Sequence, residues 1–255
     1  MLTKKCTAIV LAAGSGRRMN SDVAKQYMLL QGKPLVWYAL QVMEESSVID
    51  DCILVTGAED ISYVKKEIVE QYGFHKVSRI VAGGAERYDS VYHALQVIAA
   101  RDTSEEAEYV FIHDGARPFL TERILSDAYK AVEETKACVV GMPVKDTIKI
   151  ADHDGYAQHT PDRSLVWQIQ TPQVFEGNLI IEAYNRLMEK KEELTASGIR
   201  ITDDAMAVEK LTGQKVKLVQ GSYENIKITT PEDLVTAEAL LSQPQNFMIK
   251  NKKSG

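Results

Sequence analysis

The chain has 255 residues, with 30 lysines and arginines against 36 aspartates and glutamates, a formal net charge of −6. Hydrophobic residues make up 45% and charged residues 26%, the balance of an ordinary globular protein. Polyanion binders carry a basic excess, so this total argues against a nucleic-acid polymer as partner while leaving room for a small anion in a locally cationic pocket.

The length suits one large α/β domain or two small ones, either able to bury a substantial core. After Lys4-Lys5, the apolar run 6–13 is too short to cross a membrane. Gly14-Ser15-Gly16-Arg17-Arg18 is a poor cleavage region, so the run predicts a buried first strand rather than a leader. A helix is expected over 34–46, with Pro34 in its first turn, where a missing amide hydrogen matters least. Strands at 52–56, 78–82, 109–113 and 137–143 are continuous apolar runs, as expected of strands covered on both faces. Between them lie expected helices at 60–72, 86–100 and 121–135, the last N-capped by Thr121 and striped by Ile124, Leu125, Ala128 and Val132. Such alternation predicts parallel βαβ units with right-handed crossovers.

The alternation breaks after Pro143. Residues 146–151 and 155–160 read as two strands joined by a turn-rich link, with too little apolar surface to stand alone in water. This hairpin packs either on another subunit or on its own domain. A strand at 167–171, helices at 178–193 and 203–211, strands at 215–219 and 225–228, and a last helix from Pro231 to 241 complete the pattern. The polar, lysine-rich tail from Ser242 is expected to fray. Cys6, Cys52 and Cys138 form no CxxC pair and lie in or beside apolar runs. They read as buried free thiols, which suits a reducing cytoplasm.

Three loops carry the chemistry. Leu11-Ala12-Ala13-Gly14-Ser15-Gly16-Arg17-Arg18-Met19, with Lys25-Gln26 close behind, follows the first strand. Glycines there admit a phosphate to backbone amides. The dinucleotide fingerprint fails because its third glycine is Met19, and no Gly-Lys-Ser/Thr completes a phosphate-binding loop of the Walker type. Arg17, Arg18 and Lys25 beside such a loop suit a triphosphate. Gly83-Gly84-Ala85, at the end of the third strand, again allows close backbone approach, and Ser90 can donate and accept a hydrogen bond to a base edge. His113-Asp114-Gly115-Ala116-Arg117 ends the fourth strand; Asp114 is suited to a magnesium ion or a ligand hydroxyl and Arg117 to a phosphate, with a structural ion pair between them as the plainer reading. His113 reads as a half-buried structural histidine.

In open α/β sheets the carboxyl ends of the strands face one edge, so these loops converge. Lys145-Asp146-Thr147 opens the hairpin and Asp162-Arg163 closes it, ahead of Gln170-Thr171-Pro172-Gln173. Thr202 or Asp203 is placed to cap the helix that follows Ile201. Lys227 falls within an apolar stretch that would be an expensive place for an unpaired cation, which points it at a ligand. No Ser–His–Asp order or metal-spaced histidine pair stands out among the five histidines.

Taken in order, LAAGSGRRM, Lys25-Gln26-Tyr27, GGAERYDSV, HDGARPF, KDTIK, QTPQVF, ITDD and NIKITTPEDL resemble the 2-C-methyl-D-erythritol 4-phosphate cytidylyltransferase family of the non-mevalonate isoprenoid pathway, over residues 8–241. The resemblance implies an α/β, Rossmann-like nucleotidyltransferase fold: a mostly parallel sheet with helices on both faces and a protruding β-hairpin arm. It implies a single domain over 1–241, an arm at 145–163 that crosses to a second copy in a homodimer, and a tail at 242–255. The implied reaction joins CTP to a sugar-alcohol phosphate with Mg2+ in the cytoplasm, with neither nucleic acid nor membrane as partner. Ala12, Ala13, Gly14, Ser15, Gly16, Gly84, Ala85, Ser90, Asp114 and Gly115 would surround the nucleotide. Asp114, Arg117, Thr147, Arg163, Thr171, Thr202 and Lys227 would hold the sugar phosphate. Arg18, Lys25, Arg163 and Lys227 would carry catalysis, and Mg2+ would be held mainly by the CTP phosphates with Asp114 as a contact. Ala24 stands where the family often has proline, and Ala85 where it is often acidic, so any base contact at 85 is through the main chain. A ribitol 5-phosphate cytidylyltransferase, or a related sugar-phosphate nucleotidyltransferase, is the nearest alternative. A non-catalytic nucleotide-binding regulatory module is the alternative of another class.

Overall fold

The structure, a computed structural model, describes residues 4–14, 24–101 and 109–243. Strand β1 is Cys6–Ala12; the two-residue strands β2 (Leu29–Leu30) and β3 (Lys33–Pro34) lead into helix α1, Leu35–Glu45. Then come β4 (Asp51–Thr56), α2 (Ile61–Tyr63) and β5 (Val77–Ala82), followed by α3 (Arg87–Ala99), β6 (Tyr109–Asp114), α4 (Glu122–Thr135) and β7 (Ala137–Pro143). The short strands β8 (Ile150–Ala151) and β9 (Ala157–His159) precede β10, Trp167–Glu176. Helices α5 (Gly177–Glu189), α6 (Lys191–Ala196) and α7 (Asp204–Thr212), strand β11 (Lys217–Gln220) and helix α8 (Pro231–Leu241) follow.

The main sheet has the order β11-β7-β10-β6-β1-β4-β5, with only β10 antiparallel to its neighbours. The α/β reading from the apolar runs is borne out. Alternation along β1 assigns its residues to opposite faces: Ala8 and Val10 join one core with α1 and α4, while Ile9 joins another with α3, α5 and α7. Both faces are therefore covered, which is why the strands read as unbroken apolar runs. Thr121 caps α4 through its side chain, and Ile124, Leu125, Ala128 and Val132 are buried as the stripe predicts. The three cysteines are buried and form no disulfide.

Six expectations are corrected. Residues 225–228 form no strand: the Ile228 amide donates to the Ala116 carbonyl in a loop, and the Asn225 carbonyl accepts from the Arg117 side chain at Nη1, neither of them a sheet neighbour. Strand β10 does not stop at Thr171. It continues to Glu176 between β6 and β7, and a register shift between Ile169 and Gln173 accommodates Pro172, which has no amide hydrogen to give. The hairpin pairs at only Ile150↔His159 and Ala151↔Ala157, because Asp152 Oδ1 draws the Asp154 and Tyr156 amides into its own turn. Pro34 precedes α1 as its cap residue, extended and paired with Leu29, rather than lying in the first turn. The expected helix 178–193 divides at Lys190, and 60–72 winds as a 3-10 turn, α2 and then a π-helical stretch, Val64–Glu70.

Candidate functional site

A cleft of about 430 Å³ opens where the loops after β1, β5 and β6 meet. Ala12, Ala13 and Gly14 form one wall, Gly84, Ala85 and Ser90 another, and Lys25, Asp114 and Lys227 lie between them. The glycines permit this closeness. A Cβ on Gly83 would stand 2.4 Å from Ala13 Cβ, and one on Gly115 would stand 3.0 Å from the Leu11 carbonyl oxygen. Ser90 is buried at the start of α3 and spends its hydroxyl locally: Oγ accepts from the Gly84 amide at 3.0 Å and donates to the Glu86 carbonyl. It therefore shapes the glycine loop.

Asp114 ends β6 and is the electrostatic centre. Lys227 Nζ lies 2.7 Å from its Oδ2, Arg87 Nε lies 3.5 Å from Oδ1, and Arg117 Nε lies 3.9 Å from Oδ2. Burial alone would raise its pKa, but the charges of Arg87 and Lys227 outweigh this and hold the carboxyl well below the usual range. The expected Asp114–Arg117 ion pair is present. Arg117 is turned inward, with burial pushing its pKa down. Lys227 has a partner, against the expectation that it lacked one, and still lines the cleft from an irregular loop.

His113 is fully buried rather than half-buried, and burial lowers its pKa to about 4. The Arg117 carbonyl, 3.3 Å from Nε2, can only accept, so Nε2 carries the ring hydrogen; Nδ1 of the neutral ring then accepts from Thr171 Oγ1, which itself accepts the Asp114 amide. Both ring nitrogens are thus committed, and the imidazole is neutral. Thr171 stands behind the cleft as a support for Asp114.

Arg87 is the residue that sequence reasoning passed over. Its Nη1 and Nη2 each lie 2.7 Å from an oxygen of Asp204, which is fully buried and also accepts from the Tyr184 hydroxyl. Burial disfavours the Arg87 charge, but Asp204 and Asp114 raise its pKa well above the ordinary value. The bridge ties the start of α3 to the start of α7, where Asp203, one of the two expected candidates, caps the helix by accepting from the Met206 amide. The available signal was an aspartate on a helix whose next buried residues, Ala205, Ala207 and Val208, are apolar.

Thr202 is exposed beside that cap, and Thr147 is exposed on the arm. Arg163 donates to the Lys145 carbonyl at 3.0 Å and so closes the base of the arm. None of these three lines the cleft. Ser15, Gly16 and Arg18 lie outside the described residues. Among the described residues, no cluster of three or more histidine, cysteine or acidic side chains is arranged for a metal. No helix there is long and apolar enough to cross a membrane.

A mostly parallel α/β sheet with glycine loops and two lysines gathered at its carboxyl edge defines a nucleotide-handling transferase. The model of the 2-C-methyl-D-erythritol 4-phosphate cytidylyltransferase family, IspD, matches residues 6–243. A relative of that name from Lachnoclostridium phytofermentans is 50% identical over 96% of this chain and 100% of its own length. Another from Lachnospira eligens is 52% identical over 92% and 98%. The crystal structure of the 4-diphosphocytidyl-2C-methyl-D-erythritol synthase from Anaerococcus prevotii superposes with a TM-score of 0.77 at 35% identity, covering 94% of this chain and 97% of that one. The chain belongs to the 2-C-methyl-D-erythritol 4-phosphate cytidylyltransferase family. It is an enzyme, a nucleotidyltransferase of isoprenoid precursor synthesis, and neither the ribitol 5-phosphate alternative nor the regulatory module is favoured.

Proposed function

We propose that this chain joins 2-C-methyl-D-erythritol 4-phosphate to the α-phosphorus of CTP, giving 4-diphosphocytidyl-2-C-methyl-D-erythritol and pyrophosphate. The observation that carries the reading is the meeting, in one cleft, of two glycine loops, Lys25, and a Lys227–Asp114 pair. The nucleophile is a phosphate oxygen. Its second pKa is about 6, so it is mostly dianionic at neutral pH and needs no base. The commitment of both His113 nitrogens fits a reaction of this kind. The new bond is from that oxygen to Pα; the bond that breaks joins Pα to the oxygen bridging Pβ.

The difficulty is charge, since two polyanions must meet and pyrophosphate must leave. Arg18 and Lys25 stabilise the charge that develops at Pα and on the leaving group, where a preorganised cation acts most strongly. Lys227 and Arg163 hold the incoming phosphate in line, a positional effect. Thr147 and Thr202 complete the sugar-phosphate site, and Arg117 and Thr171 serve it through Asp114, which they hold from behind. Ala12, Ala13, Gly14, Ser15, Gly16, Gly84, Ala85, Ser90 and Gly115 shape the nucleotide site.

The donor set suits magnesium that arrives on the triphosphate, because the cleft is lined by few carboxylates, Asp114 and Glu86, and magnesium favours phosphate oxygens with few carboxylates. When bound, the ion supplies charge neutralisation on the phosphates.

The arm suits a second copy of the chain. Every residue of its two short strands is exposed, and Ile150, Tyr156 and nearby Leu165 are 40%, 74% and 79% exposed. We infer a homodimer in which Thr147 serves the partner's site, a single nucleotidyltransferase domain over 1–241, and a cytoplasmic location consistent with three cysteines outside any disulfide.

The test is pyrophosphate release from CTP and magnesium with each acceptor in parallel. Release with methylerythritol phosphate and none with ribitol 5-phosphate supports the reading; the reverse selects the alternative acceptor.

A further inference from the structure

Lys25 sits in a single 3-10 turn, Lys25–Tyr27, closed by Tyr27 N to the Ala24 carbonyl at 2.9 Å and Met28 N to the Lys25 carbonyl at 3.1 Å. One such turn is a weak frame for a side chain that must meet a phosphate, because its hydrogen bonds are few and poorly aligned. Ala24 has no ring to fix the entry angle. The turn is instead fastened from beneath. The Tyr27 hydroxyl hydrogen-bonds Thr56 Oγ1, and Thr56 is the fully buried last residue of β4. The Thr56 carbonyl accepts the Gly83 amide at 2.8 Å. One residue at the end of a core strand thus ties down the lysine turn with its side chain and the second glycine loop with its main chain. The Tyr27 ring is 7% exposed and meets Tyr63 edge-on at 5.5 Å, which limits its freedom to swing. Neither Tyr27 nor Thr56 lines the cleft, whereas Lys25, Gln26 and Gly84 do.

We propose that the Tyr27–Thr56 hydroxyl pair is a positioning device that sets Lys25 against the α-phosphate and locks its distance to the glycine loop at Gly83-Gly84. It rests on the reading of Lys25 as a transition-state cation. Burial raises the Tyr27 phenol to about 12, so the tether stays a neutral hydroxyl pair at neutral pH. A displacement of about 1 Å at a reacting group is worth up to about 10²-fold in rate. Loss of one hydroxyl from a ring still held by its neighbours should therefore lower kcat about tenfold, with both KM values within about twofold.

The experiment is a double-mutant cycle on kcat between Tyr27→Phe and Lys25→Ala, with Thr56→Val and Thr56→Ser beside it. Folded content is checked by circular dichroism, so that rates refer to native enzyme. The expected result is a tenfold fall for Tyr27→Phe in the wild-type background and less than twofold in the Lys25→Ala background. Thr56→Val should behave like Tyr27→Phe, and Thr56→Ser, which keeps the hydroxyl, should keep the rate. Equal factors in both backgrounds, or unchanged kcat in Tyr27→Phe, would overturn the positioning role while leaving a slow Lys25→Ala enzyme consistent with the catalytic reading. Wild-type turnover by Lys25→Ala would overturn the catalytic reading itself. If Tyr27→Phe fails to fold, the same cycle is run with Thr56→Val, with the same two outcomes deciding.

Discussion

Asp204 is the place where one atom changes most. It accepts both Arg87 terminal nitrogens at 2.7 Å and the Tyr184 hydroxyl while fully buried, and the Arg87 side chain is 29% exposed. Asp204→Asn keeps the shape and one acceptor oxygen, removes the charge, and turns an amide donor toward a donor. Charge-assisted hydrogen bonds contribute about 1.5–3 kcal/mol each. One is lost and another weakened to a bond with only its donor charged, so the variant should be destabilised by about 3 kcal/mol, the low end for breaking a buried pair. With a urea slope of about 3 kcal/mol/M, the midpoint should fall by about 1 M. Arg87→Met strands the buried carboxylate and should cost at least as much. The double variant should recover at least about 1.5 kcal/mol relative to the sum of the singles, because neither charge is then left alone. Urea titrations of the four proteins measure this. A midpoint shift under about 0.3 M for Asp204→Asn, or strictly additive singles, would refute the view that this bridge joins α3 to α7.

Three further outcomes are expected. Gly83→Ala places a methyl 2.4 Å from Ala13 Cβ and 2.9 Å from Ser90 Oγ, so one cleft wall must move; overpacking of this kind costs about 1–3 kcal/mol, and CTP affinity measured by calorimetry should fall about tenfold or more. His113 is held at about 4 against an ordinary 6.5, so as pH falls through that window the unfolded chain takes up the proton first. Stability should then drop by up to about 1.4 kcal/mol per pH unit between 6.5 and 4 and be unaffected by this group above 6.5; His113→Gln should flatten that slope, and parallel curves would contradict the assignment. Mixing the slow Thr147→Val and Lys25→Ala proteins should raise activity in exchanged dimers well above that of either alone, and no recovery despite proven exchange would count against an arm that serves its partner.

Most of the sheet was legible because buried parallel strands announce themselves as apolar runs, and β1, β4, β5, β6 and β7 fall within a residue of their expected bounds. The cleft was legible for a related reason: in a parallel sheet the carboxyl ends meet, so the motifs at Gly14, Gly84 and Asp114 had to converge. What escaped was long-range pairing. Arg87 and Asp204 lie 117 residues apart, and nothing local marks either as the other's partner. The same holds for Tyr27 and Thr56. Strand β10 runs past the expected 167–171 through Pro172, and only the register shift shows how a central strand tolerates a proline there. Lys227 was placed in a strand by its apolar neighbours, whereas the Ile228 amide donates to the Ala116 carbonyl and the Asn225 carbonyl accepts from Arg117, which holds the loop beside Asp114.

The central claim is that a phosphate oxygen of the sugar substrate attacks the α-phosphorus of CTP directly. The most direct measurement is 31P NMR of the products formed from methylerythritol phosphate carrying 18O on its phosphate. The account predicts 18O in the new bridge and on the sugar-side phosphorus of the product, with unlabelled pyrophosphate released. Label in the pyrophosphate, or a product bridge without it, would contradict the account.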